Sequence, residues 1–155
     1  MNINIRISGI SEIYRAVLSQ EIKKGLMENA RNCRSNGGHS PLGYDIDPAT
    51  KRYVVNETEA AIVRTVFRLF NKGYRYSSIA HELNAQGHKT KGGNLFGRGT
   101  VRAILSNEKY AGVYVYRAKG QNSDSDETIR VENGVPTIIS KKDFEKAHEH
   151  VKTNR

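Results

Sequence analysis

The chain has 155 residues, enough for one domain with a real core or for a small domain carrying an extended arm. Lys plus Arg number 25 against 16 Asp plus Glu, a formal charge of +9, so the average surface is positive and a polyanion is the natural partner. No apolar run nears the roughly twenty residues that cross a bilayer, no signal-like segment opens the chain, and Cys33 stands alone, which excludes an internal disulfide and a cysteine-built zinc site.

Taken in chain order, Ile10, Tyr14, Leu18, Ile22, Leu26 and Ala30 recur every four residues without a proline and predict an amphipathic helix over Ser11 to Asn32. Its second half, Lys23 to Arg34, is mostly polar and is expected to project from the body. Asn36-Gly37-Gly38-His39-Ser40-Pro41 breaks the pattern as a loop or linker. Gly43 to Ile46 and Arg52 to Val55 flank Asp47-Pro48-Ala49-Thr50 as a β-hairpin. Asn56 with Glu59 starts a helix whose apolar face is Ile62, Val63, Val66, Phe67, Leu69 and Phe70, with Gly73 to end it.

Ser77 to Gly87 reads as a short serine-capped helix, and Thr100 to Leu105 as another, entered through Phe96-Gly97-Arg98-Gly99. Two short helices joined by a basic, Gly-rich connection outline a helix-turn-helix with a long turn. Tyr110 to Tyr116 alternates as a strand, residues 119–126 read as a loop, and Thr128 to Val131 is expected to pair with Thr137 to Ile139 across Asn133-Gly134. Ser140 and Asp143 cap a last helix running through Val151. The fold class expected is α+β: a long N-terminal helix leading into a small mixed domain with a helix-turn-helix-like unit and short hairpins. Its parts are a helical arm over residues 1–35, a linker over 36–42 and a DNA-binding domain over 43–155.

No serine sits in a strand-to-helix elbow beside a coherent base, and no P-loop or dinucleotide fingerprint occurs. Asp124, Asp126 and Glu127 lie in a stretch without the rigid support that metal catalysis needs, and His148 with His150 would splay on a helix. The expectation is therefore no catalytic residue, no metal and no cofactor. Binding is where residue types and positions agree. Residues 86–120 carry Lys89, Lys91, Arg98, Arg102, Lys109, Arg117 and Lys119 against the single acid Glu108, whereas residues 121–155 hold six basic and seven acidic groups. Arg98, Thr100 and Arg102 stand where a recognition helix meets base edges, with Asn94 in the connection before them. Lys89, Lys91, Arg117 and Lys119 are the expected phosphate contacts. Arg31, Arg34, Asn36, Gly37, Gly38 and His39 form a slim basic arm suited to a minor groove, where little bulk fits and Arg is favoured.

From about Leu18 to Lys152 the sequence resembles the recombinase domain of large serine recombinases, the group of phage integrases, transposases of that class and sporulation excisionases. The matching words are Ser19 to Leu26, Asn36-Gly37-Gly38, Pro41-Leu42-Gly43-Tyr44, Ile79-Ala80, Leu83-Asn84, Gly87, Thr100 to Asn107, Tyr110-Ala111-Gly112, Ile139-Ser140 and Phe144. The resemblance implies a parent enzyme whose resolvase-like serine domain cuts DNA while this part positions an attachment-site half. It implies that the first helix crosses DNA and supports self-association, that the linker lies in the minor groove, and that Gly97 to Asn107 is presented to the major groove. Nothing in Met1 to Ser11 resembles the family's nucleophile, and Phe96-Gly97 stands where a Ser or Thr cap is usual. The expectation is a non-enzymatic fragment that binds duplex DNA, cytoplasmic and without a membrane partner. A stand-alone winged helix-turn-helix regulator is the alternative, and an RNA-binding module using Tyr44, Tyr53, Tyr74, Tyr76, Tyr110, Tyr114 and Tyr116 as stacking surfaces is a further rival.

Overall fold

The computed structural model describes the fold of residues 2–117 and 128–153, with side chains described from residue 11 onward. Its described elements are α1 (Asn2–Arg31), β1 (Tyr44–Ile46), β2 (Tyr53–Val55), α2 (Glu57–Asn71), α3 (Tyr76–Ala85), α4 (Arg98–Ser106), a 3₁₀ turn (Glu108–Ala111), β3 (Tyr114–Arg117), β4 (Thr128–Val131) and α5 (Lys141–Thr153). The class is α+β, with two separate two-stranded antiparallel sheets, β1–β2 and β3–β4. No helix among the described residues is long and apolar enough to cross a membrane.

The organising element is α2. Asn56 caps it by accepting the Glu59 amide at 3.2 Å, and Gly73 leaves it at φ +102°. Its stripe Val63, Val66, Phe67 and Phe70 is buried with Ile79 and Leu83 of α3, Val101 and Leu105 of α4, and Phe144 and Ala147 of α5 in one core. Two tyrosines tie the hairpin to that core. The Tyr44 ring is fully buried and stacks on Tyr110 with centroids 5.8 Å apart, and the Tyr110 hydroxyl donates to the Leu42 carbonyl at 2.6 Å. Burial pushes both phenols well above their ordinary pKa, since the interior disfavours the phenolate.

Three sequence expectations change. The first is α1, where the projecting half is the reverse of the one expected: every residue from 11 to 25 is exposed, including Ile13, Tyr14, Val17, Leu18 and Ile22, while Met27 and Ala30 are buried. The polar second half docks through Ala30, which with Cys33 meets Tyr114 and Val135 in a second cluster. The apolar stripe of the first half finds no partner among the described residues.

Second, Tyr110-Ala111 is not strand but part of the 3₁₀ turn, which Gly112 ends at φ +91°. Third, Thr128–Val131 pairs with β3, Tyr114 opposite Val131 and Arg117 opposite Thr128, and not with Thr137 to Ile139. The amides of Ile138 and Ile139 instead both donate to the Tyr110 carbonyl, at 3.0 and 2.9 Å. Smaller shifts occur at helix starts. Arg75, not a serine, precedes α3, without a side-chain cap, whereas the expected Ser140 cap forms on the Asp143 amide at 3.2 Å.

Candidate nucleic-acid interface

A recognition helix needs one apolar face held by the body and a polar face left to the solvent. In α4, Val101, Ile104 and Leu105 are buried, while Arg98, Arg102, Ala103 and Ser106 are exposed and Thr100 is half-buried. The helix starts at Arg98, two residues before the expected Thr100, because Gly97 adopts an extended conformation (φ −126°, ψ 176°) as its N-cap. No side chain caps the first amides there, and such a helix start favours negative charge. Neither Arg98 nor Arg102 pairs with an acid among the described residues.

The long connection is braced and not slack. Asn84 of α3 clamps it, donating through Nδ2 to the Phe96 carbonyl at 2.9 Å and accepting the Phe96 amide at 2.8 Å, while Phe96 itself is buried. Thr90 and Asn94 close a tight turn through Thr90 N to Asn94 O at 2.8 Å and Asn94 N to Thr90 Oγ1 at 3.0 Å. This leaves the Asn94 side chain exposed a few residues ahead of α4. A shallow groove then runs between α4 and the end of the linker, lined by Thr100, Ala103 and Asn107 on one side and Ser40, Pro41 and Leu42 on the other. The linker and the helix therefore adjoin.

The expected flexible arm is fastened over much of its length. The Arg34 amide donates to the Asn29 carbonyl at 2.8 Å, the Ser35 amide to the Lys51 carbonyl at 2.7 Å, and the Ser40 hydroxyl to the Tyr44 carbonyl at 2.7 Å. Asn36 is occupied as well, since its Nδ2 donates to the Leu26 carbonyl at 3.0 Å. What stays exposed is Arg31, Arg34, Gly37, Gly38 and His39. Gly37 and Gly38 both take positive φ, +96° and +80°, so two bare backbone units stand at the tip, where a side chain would be strained.

With this geometry in view, a family model described as Recombinase matches residues 57–154. The chain belongs to the Recombinase family. This bears out the resemblance to the recombinase domain of large serine recombinases. Two solved structures share the fold. One is a crystal structure of an LSR–DNA complex, with TM-score 0.63 and 19% identity, matched over 84% of this chain and 37% of that one. The other comes from work on the sequence requirements of the Listeria innocua prophage attP site, with TM-score 0.63 and 19% identity over 85% of this chain and 51% of that one. The chain thus spans between about a third and a half of the proteins whose structures it matches.

Within this recombinase domain the basic residues divide by what they touch. Lys91, expected at a phosphate, is already engaged: its ammonium lies 2.7 Å from Glu59 Oε1 and 3.2 Å from Asp45 Oδ1, and donates to the Tyr44 carbonyl at 2.6 Å. These contacts pin the turn to the β1–β2 hairpin and to α2. Lys89 is exposed without an acid partner among the described residues, and Arg117 is exposed at the end of β3. Lys119, the expected loop over 119–126 and the acids Asp124, Asp126 and Glu127 lie outside the described residues.

Sequence reasoning missed Arg75 and Ser77, which line one concave site with Arg98 and Tyr76 where the starts of α3 and α4 meet. The basic Arg75 directly ahead of the helix was the available signal, hidden by the serine expected to cap it. Of the seven tyrosines proposed for stacking, Tyr44, Tyr110 and Tyr114 are buried and Tyr53, Tyr76 and Tyr116 are partly buried against the cores, and the Tyr114 hydroxyl donates to the Arg34 carbonyl at 2.9 Å. Tyr74 alone of these is exposed.

Lys91 and Lys89 should consequently separate in experiment. Lys91→Ala leaves Glu59 and Asp45 without their cation and is expected to lower folding stability by about 1–3 kcal/mol. Lys89→Ala is expected to leave stability unchanged and to weaken DNA binding alike on all sequences. Urea titration beside binding isotherms checks both, and a Lys91→Ala protein of parental stability would refute the strut.

Proposed function

We propose that this recombinase domain binds duplex DNA sequence-specifically and seats one half of an attachment site for strand exchange, with cutting done by a catalytic serine domain elsewhere in the parent protein. The observation that carries the reading is α4: a short helix held on the core by three apolar residues, with Arg98 and Arg102 exposed at its start and unmatched by acids among the described residues. Arg at such a place pairs bidentately with guanine, and Thr100 and Asn94 extend the readout. Arg31, Arg34 and the Gly37–His39 tip approach the minor groove, with Lys89, Arg117 and Lys119 toward phosphates. The DNA complex among the structures of like fold supports the DNA-binding reading.

The exposed stripe Ile13, Tyr14, Val17, Leu18 and Ile22 supports self-association through α1 in the full-length protein, which sedimentation of that protein would test. One observation favours a second reading, a winged helix-turn-helix regulator: the β3–β4 hairpin follows α4 where a wing would stand. A serine recombinase domain encoded in frame upstream would decide against it.

The test is binding of the pure chain to a randomised duplex pool, to a selected half-site and to single-stranded RNA, over a salt series. Duplex affinity is expected to fall linearly in a log–log plot, because each neutralised phosphate releases counterions, and supercoiled plasmid is expected to stay intact with or without magnesium. Preference for RNA, or nicking with a covalent protein–DNA adduct, would overturn the reading.

A further inference from the structure

We propose that the β1–β2 hairpin is a second DNA contact, in which Arg52 and Lys51 hold the sugar–phosphate backbone beside the groove that Arg34 enters; this rests on the duplex-binding reading above. Arg34 and Arg52 form an isolated antiparallel bridge, so the two arginines stand directly opposite one another across the backbone pairing. Side chains at such positions share a face and start within about 5.5 Å of each other at Cβ, and like charges there repel. Both residues are exposed, and neither pairs with an acid among the described residues.

The acid of the turn, Asp47, turns Oδ1 to the backbone, accepting the Ala49 amide at 2.8 Å and the Thr50 amide at 3.4 Å, and forms no ion pair among the described residues. Lys51 adds a third exposed cation, held in place by the hydrogen bond from the Ser35 amide to its carbonyl. It lines one cleft with Asn36, Gly37 and Gly38, the tip of the linker. Arg34, Arg52 and Lys51 are thus three exposed cations where the hairpin meets the linker, none with an acid partner among the described residues, and a bound polyanion would relieve their repulsion. A hairpin fastened to the linker would therefore track the DNA backbone wherever the linker enters the groove, adding affinity without reading sequence.

Arg52→Gln and Arg52→Glu in the full chain test this, with Arg102→Ala as the reference for base reading. Arg52→Gln is expected to weaken binding by about three- to tenfold on selected and random duplexes alike and to reduce the salt slope by about one. Arg52→Glu puts a carboxylate opposite Arg34, so it is expected to melt at or above the parental temperature in the absence of DNA while binding duplex still more weakly. Unchanged affinity and salt slope in Arg52→Gln, with selectivity still lost in Arg102→Ala, would overturn the hairpin contact and leave the recognition helix standing. A fall in melting temperature of Arg52→Glu that accounts for its lost binding would also overturn it, by making the role structural. Absence of duplex binding by the parent chain would remove both readings.

Discussion

On the half-site selected from a randomised duplex pool, Arg102→Ala is expected to cost about 1–3 kcal/mol of binding, and on random duplex much less. The asymmetry follows from where the residue stands. Val101 and Leu105 on either side are fully buried and set the helix rotation, so Arg102 must emerge on the opposite, solvent face. A guanidinium there gains two hydrogen bonds from a guanine edge that other bases do not match, whereas its general attraction to phosphates is shared by every sequence. Folding stability should hardly move, because the side chain is exposed and no described ion pair is lost. Arg34→Ala should weaken A·T-rich sites without erasing that discrimination. It lies on another element, so the two costs should add to within about half a kcal/mol. An unchanged ratio of selected to random affinity in Arg102→Ala would show that α4 is only an electrostatic patch.

How much of this was legible differs element by element, and the reasons are physical. Helix α2 was readable because its cap, its 3.6-residue stripe and its closing glycine are all local, and so was the β1–β2 hairpin around Asp47-Pro48. The exposed face of α4 was readable for the same reason: Val101, Ile104 and Leu105 fix its inner side, and the arginines fall on the other. Long-range partners were not readable. Lys91 reads as one more cation near a basic helix, yet its acids lie 46 and 32 residues earlier in the chain, and only the fold brings them together. Strand pairing failed similarly. Thr137 to Ile139 has the composition of a strand, but the Tyr110 carbonyl takes its amides, and β4 finds its partner in β3. In α1 the periodicity gave a face without saying which half of it meets the body. The larger apolar side chains pointed to the first half, and the smaller ones of the second half dock.

Gly43 was visible as the start of the hairpin and as part of the word Pro41-Leu42-Gly43-Tyr44, and the structure supplies a reason for a glycine there that leads to a large expected effect. The residue takes φ +99°, its amide donates to Glu59 Oε1 at 3.0 Å, and its carbonyl accepts the Asn56 amide at 2.9 Å, so it joins the end of the linker to the start of α2. A methyl group placed there would lie 3.0 Å from Ile138 Cδ1 and 3.2 Å from Val63 Cγ2. Gly43→Ala therefore meets two penalties, about 1–3 kcal/mol for a side chain in that backbone region and about 1–3 kcal/mol for overpacking. The tip of Ile138 is flexible enough to keep the second near its lower end. Gly37→Ala separates the two, because Gly37 has a similar φ of +96° but nothing within 4 Å of an added Cβ, so it carries the backbone cost alone. Urea unfolding of both variants should show Gly43→Ala as the less stable. Equal losses would mean that the core around Val63 and Ile138 opens without cost and that the close approach at Gly43 does not hold the hairpin on α2.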